Sequence, residues 1–127
     1  MNKELVDADT TIQEVKDRVR SFVHERDWEK YHKPKDLAIS ICLEAAELLE
    51  LFQWKSEDEI RELLENSERF RKRIEEELAD VLIYAFSFSN VLNIEVANII
   101  NTKIKINERK YPVERYYGRF IKDQDNQ

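Results

Sequence analysis

The chain has a single glycine, Gly118, near its end. A phosphate-cradling P-loop, a dinucleotide-binding glycine fingerprint and a nucleophile elbow each need backbone positions that only glycine tolerates, so all three are excluded. One cysteine, Cys42, excludes a disulfide framework and any cysteine-rich zinc site. Two prolines and one glycine are too few for the tight turns of an all-β protein. No apolar run approaches the ~20 residues of a membrane span. The opening Met1-Asn2-Lys3-Glu4-Leu5-Val6-Asp7 lacks the apolar stretch of a secretory signal. A cytoplasmic protein without a membrane partner is the expectation.

What is present is charge and aliphatic side chains. The 127 residues carry a formal net charge of -6, with 38% charged and 42% hydrophobic positions. That apolar share is enough for one folded domain. The acidic total disfavours a nucleic-acid polymer as partner. The charge is uneven: Glu44 to Asp80 holds 13 acidic and 6 basic residues, whereas Lys103 to Lys122 holds 7 basic and 2 acidic. An acidic centre and a basic end can bring a cation and a polyanion together, whereas the plain alternative is a solvated, salt-bridged helical surface.

Helical periodicity dominates. Residues 1–9 read as a flexible arm. Thr11-Ile12-Gln13-Glu14 has the form of a capping box, and Ile12, Val15, Val19, Phe22 and Val23 follow at helical spacing, which predicts a helix over 11–26. Pro34 reads as part of a connector and Asp36 as the N-cap of a second helix over 37–52. Ser56-Glu57-Asp58-Glu59 is a second capping box and opens a short helix ending near Asn66. A long helix covers 68–92, and Asn93 caps a last helix over 94–109 that Pro112 ends. The fold class is all-α: a bundle of four main helices and one short one, a domain over 10–112 followed by a tail over 113–127. Leu78–Leu92 is apolar nearly all round, so it calls for burial on most sides. Four helices in so short a chain do this poorly, which points to a homo-oligomer formed through that helix.

The most informative segments are Glu44-Ala45-Ala46-Glu47 and Glu77-Leu78-Ala79-Asp80. Residues three apart on a helix share a face, so each pair points two carboxylates at one spot. Like charges repel, the more so where water is excluded. Two such pairs facing each other need a cation, and four hard oxygen donors suit Mg²⁺ or Mn²⁺. The plain alternative is two ordinary acidic stripes. A di-iron bundle would need two Glu-x-x-His pairs, and the chain offers only Glu29-Lys30-Tyr31-His32. Lys103, Asn107 and Lys110 fall on one face of the last helix and can meet phosphate oxygens. Trp28, Trp54 and Tyr84 can stack a base or serve as core.

At this point the chain resembles a known family. The Glu44-Ala-Ala-Glu47 and Glu77-Leu-Ala-Asp80 pairs look like the signature of the MazG-like all-α nucleoside triphosphate pyrophosphohydrolases. Arg26-Asp27-Trp28, His32-Lys33-Pro34-Lys35, Leu48 to Lys55, Asp80 to Tyr84, Lys103-x-x-x-Asn107 and Arg109-Lys110-Tyr111-Pro112 are similar in order and spacing to its dCTP pyrophosphatase branch. The resemblance implies Mg²⁺-dependent hydrolysis of a (deoxy)nucleoside triphosphate to monophosphate and pyrophosphate, in a dimer or a tetramer of dimers, as nucleotide-pool house-cleaning. By position, Glu44, Glu47, Glu77 and Asp80 would hold the metal, with Glu44 or Glu47 doubling as base. Lys103, Asn107 and Lys110 would meet triphosphate and sugar, Lys103 stabilising charge during reaction. Trp28, Trp54 and Tyr84 would surround the base, with His32 in a matching segment. The alternatives are an inert nucleotide-binding relative and a helical protein-interaction module.

Overall fold

The computed structural model describes residues 3–119. These residues form helices joined by short turns, with no strand among them: α1 Ile12–Glu25, α2 Pro34–Glu50, α3 Glu57–Asn66, α4 Glu68–Leu92, α5 Val96–Lys110 and α6 Val113–Tyr116. Residues up to Ile94 form one compact unit and those from Glu95 a second. Among the described residues, no single helix is long and apolar enough to cross a membrane.

In the first unit α4 is the central element. α2 packs along it over the greatest length, α1 over a shorter stretch and α3 only briefly. The helix starts follow local chemistry. Thr11 and Glu14 form the expected capping box, and the Ser56 and Ser67 hydroxyls each accept from the backbone N–H three residues on. α2 begins earlier than the sequence reading placed it. Pro34 occupies the first turn, where its missing N–H costs nothing and its fixed φ suits the helix, so Lys33 is the N-cap and Asp36 lies inside the first turn.

The scarcity of glycine shows at two helix ends. α1 closes with Asp27 at φ 53° and α4 with Asn93 at φ 54°, the left-handed conformation glycine usually supplies. Each is stabilised by a backbone bond across five residues, Trp28 N–H to Val23 at 3.0 Å and Ile94 N–H to Ser89 at 2.9 Å. Asn93 therefore terminates α4 rather than capping α5, whose N-cap position is Glu95. An amide side chain tolerates left-handed backbone, and that preference outweighed its N-cap propensity here. Lys16 reinforces the α4 end. Its side chain is buried, and Nζ donates to the Ile94 carbonyl at 2.7 Å, a favourable place for a cation. Asn90 donates to the Lys16 carbonyl at 3.0 Å and accepts from Arg20 at 3.2 Å, tying α4 to α1.

Val19, Val23, Leu37, Leu51 and Phe70 form the buried apolar core, and Phe52 meets Phe70 edge to face at 5.8 Å. That core is small. The apolar second half of α4, expected to be buried on most sides, is not: Leu78, Leu82, Ile83, Val91 and Leu92 are 40–46% exposed. Ile39, Leu43 and Leu49 of α2 are exposed as well. Three neighbouring helices cannot surround α4, so one of its sides has no cover within the unit. In the arm, Asp7–Asp9 forms a single 3-10 turn, and Lys3 pairs with Glu14 at 3.3 Å. In the second unit, α5 is followed by the one-turn α6, whose Tyr116 packs edge to face on Tyr111. The expected tail beyond Arg119 lies outside the described residues.

Leu37 is 1% exposed and anchors the start of α2. Leu37→Ala is expected to cost about 2–5 kcal/mol in urea unfolding; a loss below about 1 kcal/mol would mean that the α2 start is not held by this core.

Candidate active site

The packing of α2 along α4 brings the two acidic pairs together. One carboxylate oxygen from each of Glu44, Glu77 and Asp80 lies within 4.8 Å of the other two. Glu47 projects from the next turn of α2 and acts on both Glu44 and Glu77. Glu44 Oε2 and Glu77 Oε2 are buried and have no hydrogen-bond partner. Burial, and then the Glu47 carboxyl beside it, push Glu44 up to about 7. The same two causes raise Glu77, with Arg73 opposing weakly. Three acids converging on one point, two of them with a buried unpartnered oxygen and a fourth acid alongside, are an arrangement the folded chain resists. A hard divalent cation removes both difficulties, and an all-oxygen donor set fits Mg²⁺ or Mn²⁺. Glu50, Glu75 and Glu76 stay exposed on the outside of the cluster, and Glu75 pairs with Arg71.

Beyond the acids, the same face of α4 carries Tyr84. The His32 ring stands 6.3 Å from the Tyr84 ring. Burial lowers the pKa of His32, with Glu29 opposing, so the imidazole is neutral at pH 7, and its buried Nδ1 has no partner. Trp28 follows the left-handed Asp27, packs edge to face on Phe22 at 5.7 Å and is 41% exposed. Trp54 lies just past α2 and is 87% exposed. Lys103, Asn107 and Lys110 lie at helical spacing on α5 in the second unit, where Lys110 rests over the Tyr111 ring.

Comparisons with known proteins show the family of the chain. A family model described as the MazG-like family matches residues 39–121, a span that includes both acidic pairs. The chain belongs to the MazG-like family. It is 33% identical over 118 residues to dCTP pyrophosphatase 1 of Bos taurus, covering 93% of this chain and 69% of that one. It is 36% identical over 102 residues to dCTP pyrophosphatase 1 of Homo sapiens, covering 80% of this chain and 59% of that one. Among solved structures, a pyrophosphatase from Archaeoglobus fulgidus is 44% identical with a TM-score of 0.73, covering 86% of this chain and 99% of that one. The family, the enzyme class and the all-α fold expected from the sequence are thereby met.

Sequence reading missed two polar features. Ser87 is 3% exposed, and its Oγ has no partner. Its signal was the register on α4, three residues past Tyr84 and seven past Asp80. The other is the 2.7 Å pair of His24 with Glu29, which spans the left-handed turn and has no helical spacing to announce it.

The raised carboxyls give a testable sign. The folded chain holds these protons more tightly than the unfolded chain, so the penalty is present above pH 7 and is relieved as pH falls from about 7 toward 4.5. In EDTA at pH 8, Glu77→Gln should melt about 3 °C or more above the unsubstituted chain. The gap should close by pH 5, and excess Mg²⁺ should reverse the order. A gap that ignores both pH and Mg²⁺ would show that the four acids do not act as one cluster.

Proposed function

We propose that this chain hydrolyses (deoxy)nucleoside triphosphates to the monophosphate and pyrophosphate with Mg²⁺, Mn²⁺ substituting, and that dCTP-like nucleotides are its substrates. The observation that carries this reading is the convergence of Glu44, Glu77 and Asp80, with buried, unpartnered Glu44 and Glu77 oxygens and Glu47 alongside. The names of the dCTP pyrophosphatase relatives support the substrate class. A nucleotide-pool house-cleaning role follows from that chemistry.

In this proposal Glu44, Glu47, Glu77 and Asp80 hold the ion. Bound there, it would neutralise phosphate charge and make water more acidic. As water attacks the α-phosphorus, the α–β phosphoanhydride bond breaks and pyrophosphate leaves. Glu44 or Glu47 takes the proton from the attacking water. Lys103 and Lys110 offset negative charge on the phosphates, and Asn107 donates to phosphate or sugar oxygens. Tyr84, His32 and Trp28 bound the space for the nucleoside.

A homodimer, or a tetramer of dimers, belongs to the same proposal. The exposed apolar side chains of α4 and α2 need cover. A second copy would supply it, and the exposed Trp54 would then serve the neighbouring chain's site. Light scattering should therefore give a mass that is an even multiple of 15.3 kDa.

Pyrophosphate release from a panel of NTPs and dNTPs, with Mg²⁺ and then with EDTA, tests the reading. Mg²⁺-dependent release with a monophosphate product is expected, and the panel should rank dCTP first. Glu47→Gln and Asp80→Asn should each lower kcat by about 100-fold or more while leaving the helical circular dichroism unchanged. Binding without cleavage would favour an inert nucleotide-binding relative, and no metal-dependent binding a helical interaction module.

A further inference from the structure

A cavity of about 210 Å³ opens between α1, α4 and the turn at Glu29–Tyr31. Val23 and Val91 form its apolar walls, and Arg20 and Glu29 stand at its edge. Those two charges are already engaged, Arg20 with Asn90 and Asp17, Glu29 with His24. Two polar groups are not. Ser87 Oγ and His32 Nδ1 are both buried and partnerless, and both residues line this cavity. Ser87 is 3% exposed, and neither atom presents surface to the cavity as the side chains stand, so a rotation of the Ser87 and His32 side chains turns them toward a bound group. A buried hydroxyl without a partner is unfavourable unless something that binds there completes it.

The cavity also has a fixed place relative to the acids. Glu77, Asp80, Tyr84, Ser87 and Val91 follow one another at steps of three and four residues, which makes a single stripe on α4. Ser87 is seven residues beyond Asp80, about 10.5 Å along the helix. Tyr84 lies between them, with His32 against it. A nucleotide whose phosphates lay at the acid cluster and which ran along this stripe past Tyr84 would bring its base to the mouth of the cavity.

We propose that Ser87 is a specificity-determining residue: with His32 Nδ1, its hydroxyl hydrogen-bonds the edge of the substrate's base inside this cavity. The inference rests on the nucleotide reading above. Serine both donates and accepts, and His32 supplies a second group on the same cavity, so a base whose edge completes both is preferred over one that leaves either unpaired. Apolar walls suit the faces of a heterocycle and give no discrimination by themselves.

The test uses the full chain with Mg²⁺ and non-hydrolysable α,β-imido analogues of the four common dNTPs, read by calorimetry, so that it does not depend on turnover. Ser87→Ala is expected to weaken the preferred analogue at least 10-fold and to narrow the spread among the four bases. The melting temperature of the bare chain should not fall, since an unsatisfied hydroxyl is removed, and Mg²⁺ affinity should stay unchanged. Ser87→Cys, close in size, serves if the alanine variant fails to fold, and should show the same narrowing. An unchanged base ranking in the folded variant would overturn the proposal. Base-ranked binding that Ser87→Ala abolishes, in a chain that cleaves nothing, would keep this inference and sink the hydrolase reading. No binding of any analogue by the unsubstituted chain would overturn both.

Discussion

Four carboxylates on two packed helices repel one another, and the rest of the first unit is arranged so that they cannot move apart. Glu44 and Glu47 are fixed on α2, Glu77 and Asp80 on α4, and those two helices share the longest contact in the unit. A pair of acids on one exposed helix would turn to solvent and ionise normally. Here burial and proximity lift Glu44 to about 7 and raise Glu77 with it. The folded chain therefore carries an electrostatic strain that a divalent cation would relieve. The feature that weakens the bare fold is the one that underlies the proposed cation site.

Holding α4 in register requires firm ends, and the chain achieves this almost without glycine. Asp27 and Asn93 adopt left-handed backbone where glycine is the usual choice. Lys16 neutralises the end of α4 from α1, and Asn90 returns a bond to the Lys16 carbonyl. His32 stands next to the face of α4 that bears Tyr84 and Ser87. The apolar core beneath is modest, and the exposed Leu78, Leu82 and Ile83 mark a face the unit leaves uncovered. The acids Glu77 and Asp80 and the uncovered apolar side chains occupy one helix.

Much of this was readable in the residues. The two acidic pairs, the Thr11 capping box and the long α4 over 68–92 have strong local signals: fixed spacing, a reciprocal cap, a long apolar period. The start of α2 was misplaced because proline is both a breaker and a favoured first-turn residue, and only the backbone around Lys33 distinguishes the two. Asn93 was assigned to the wrong helix for a similar reason, since asparagine serves N-caps and left-handed C-caps alike. Ser87 was invisible as a polar feature, because a serine within an apolar helical run reads as a small filler until its partners are counted. Lys103, Asn107 and Lys110 were legible as one helical face of the last helix, and their spacing on α5 keeps that order.

The central claim is that these four carboxylates form one divalent-cation site. Calorimetric titration of Mn²⁺ into the metal-free chain at pH 6.5, below the raised Glu44 value of about 7, repeated with Glu44→Gln and Asp80→Asn, tests it most directly. The account expects stoichiometric binding that Mg²⁺ displaces, accompanied by proton release as Glu44 ionises, and weakened at least 10-fold in both variants. Equal affinity in all three chains, or binding without proton release, would contradict it.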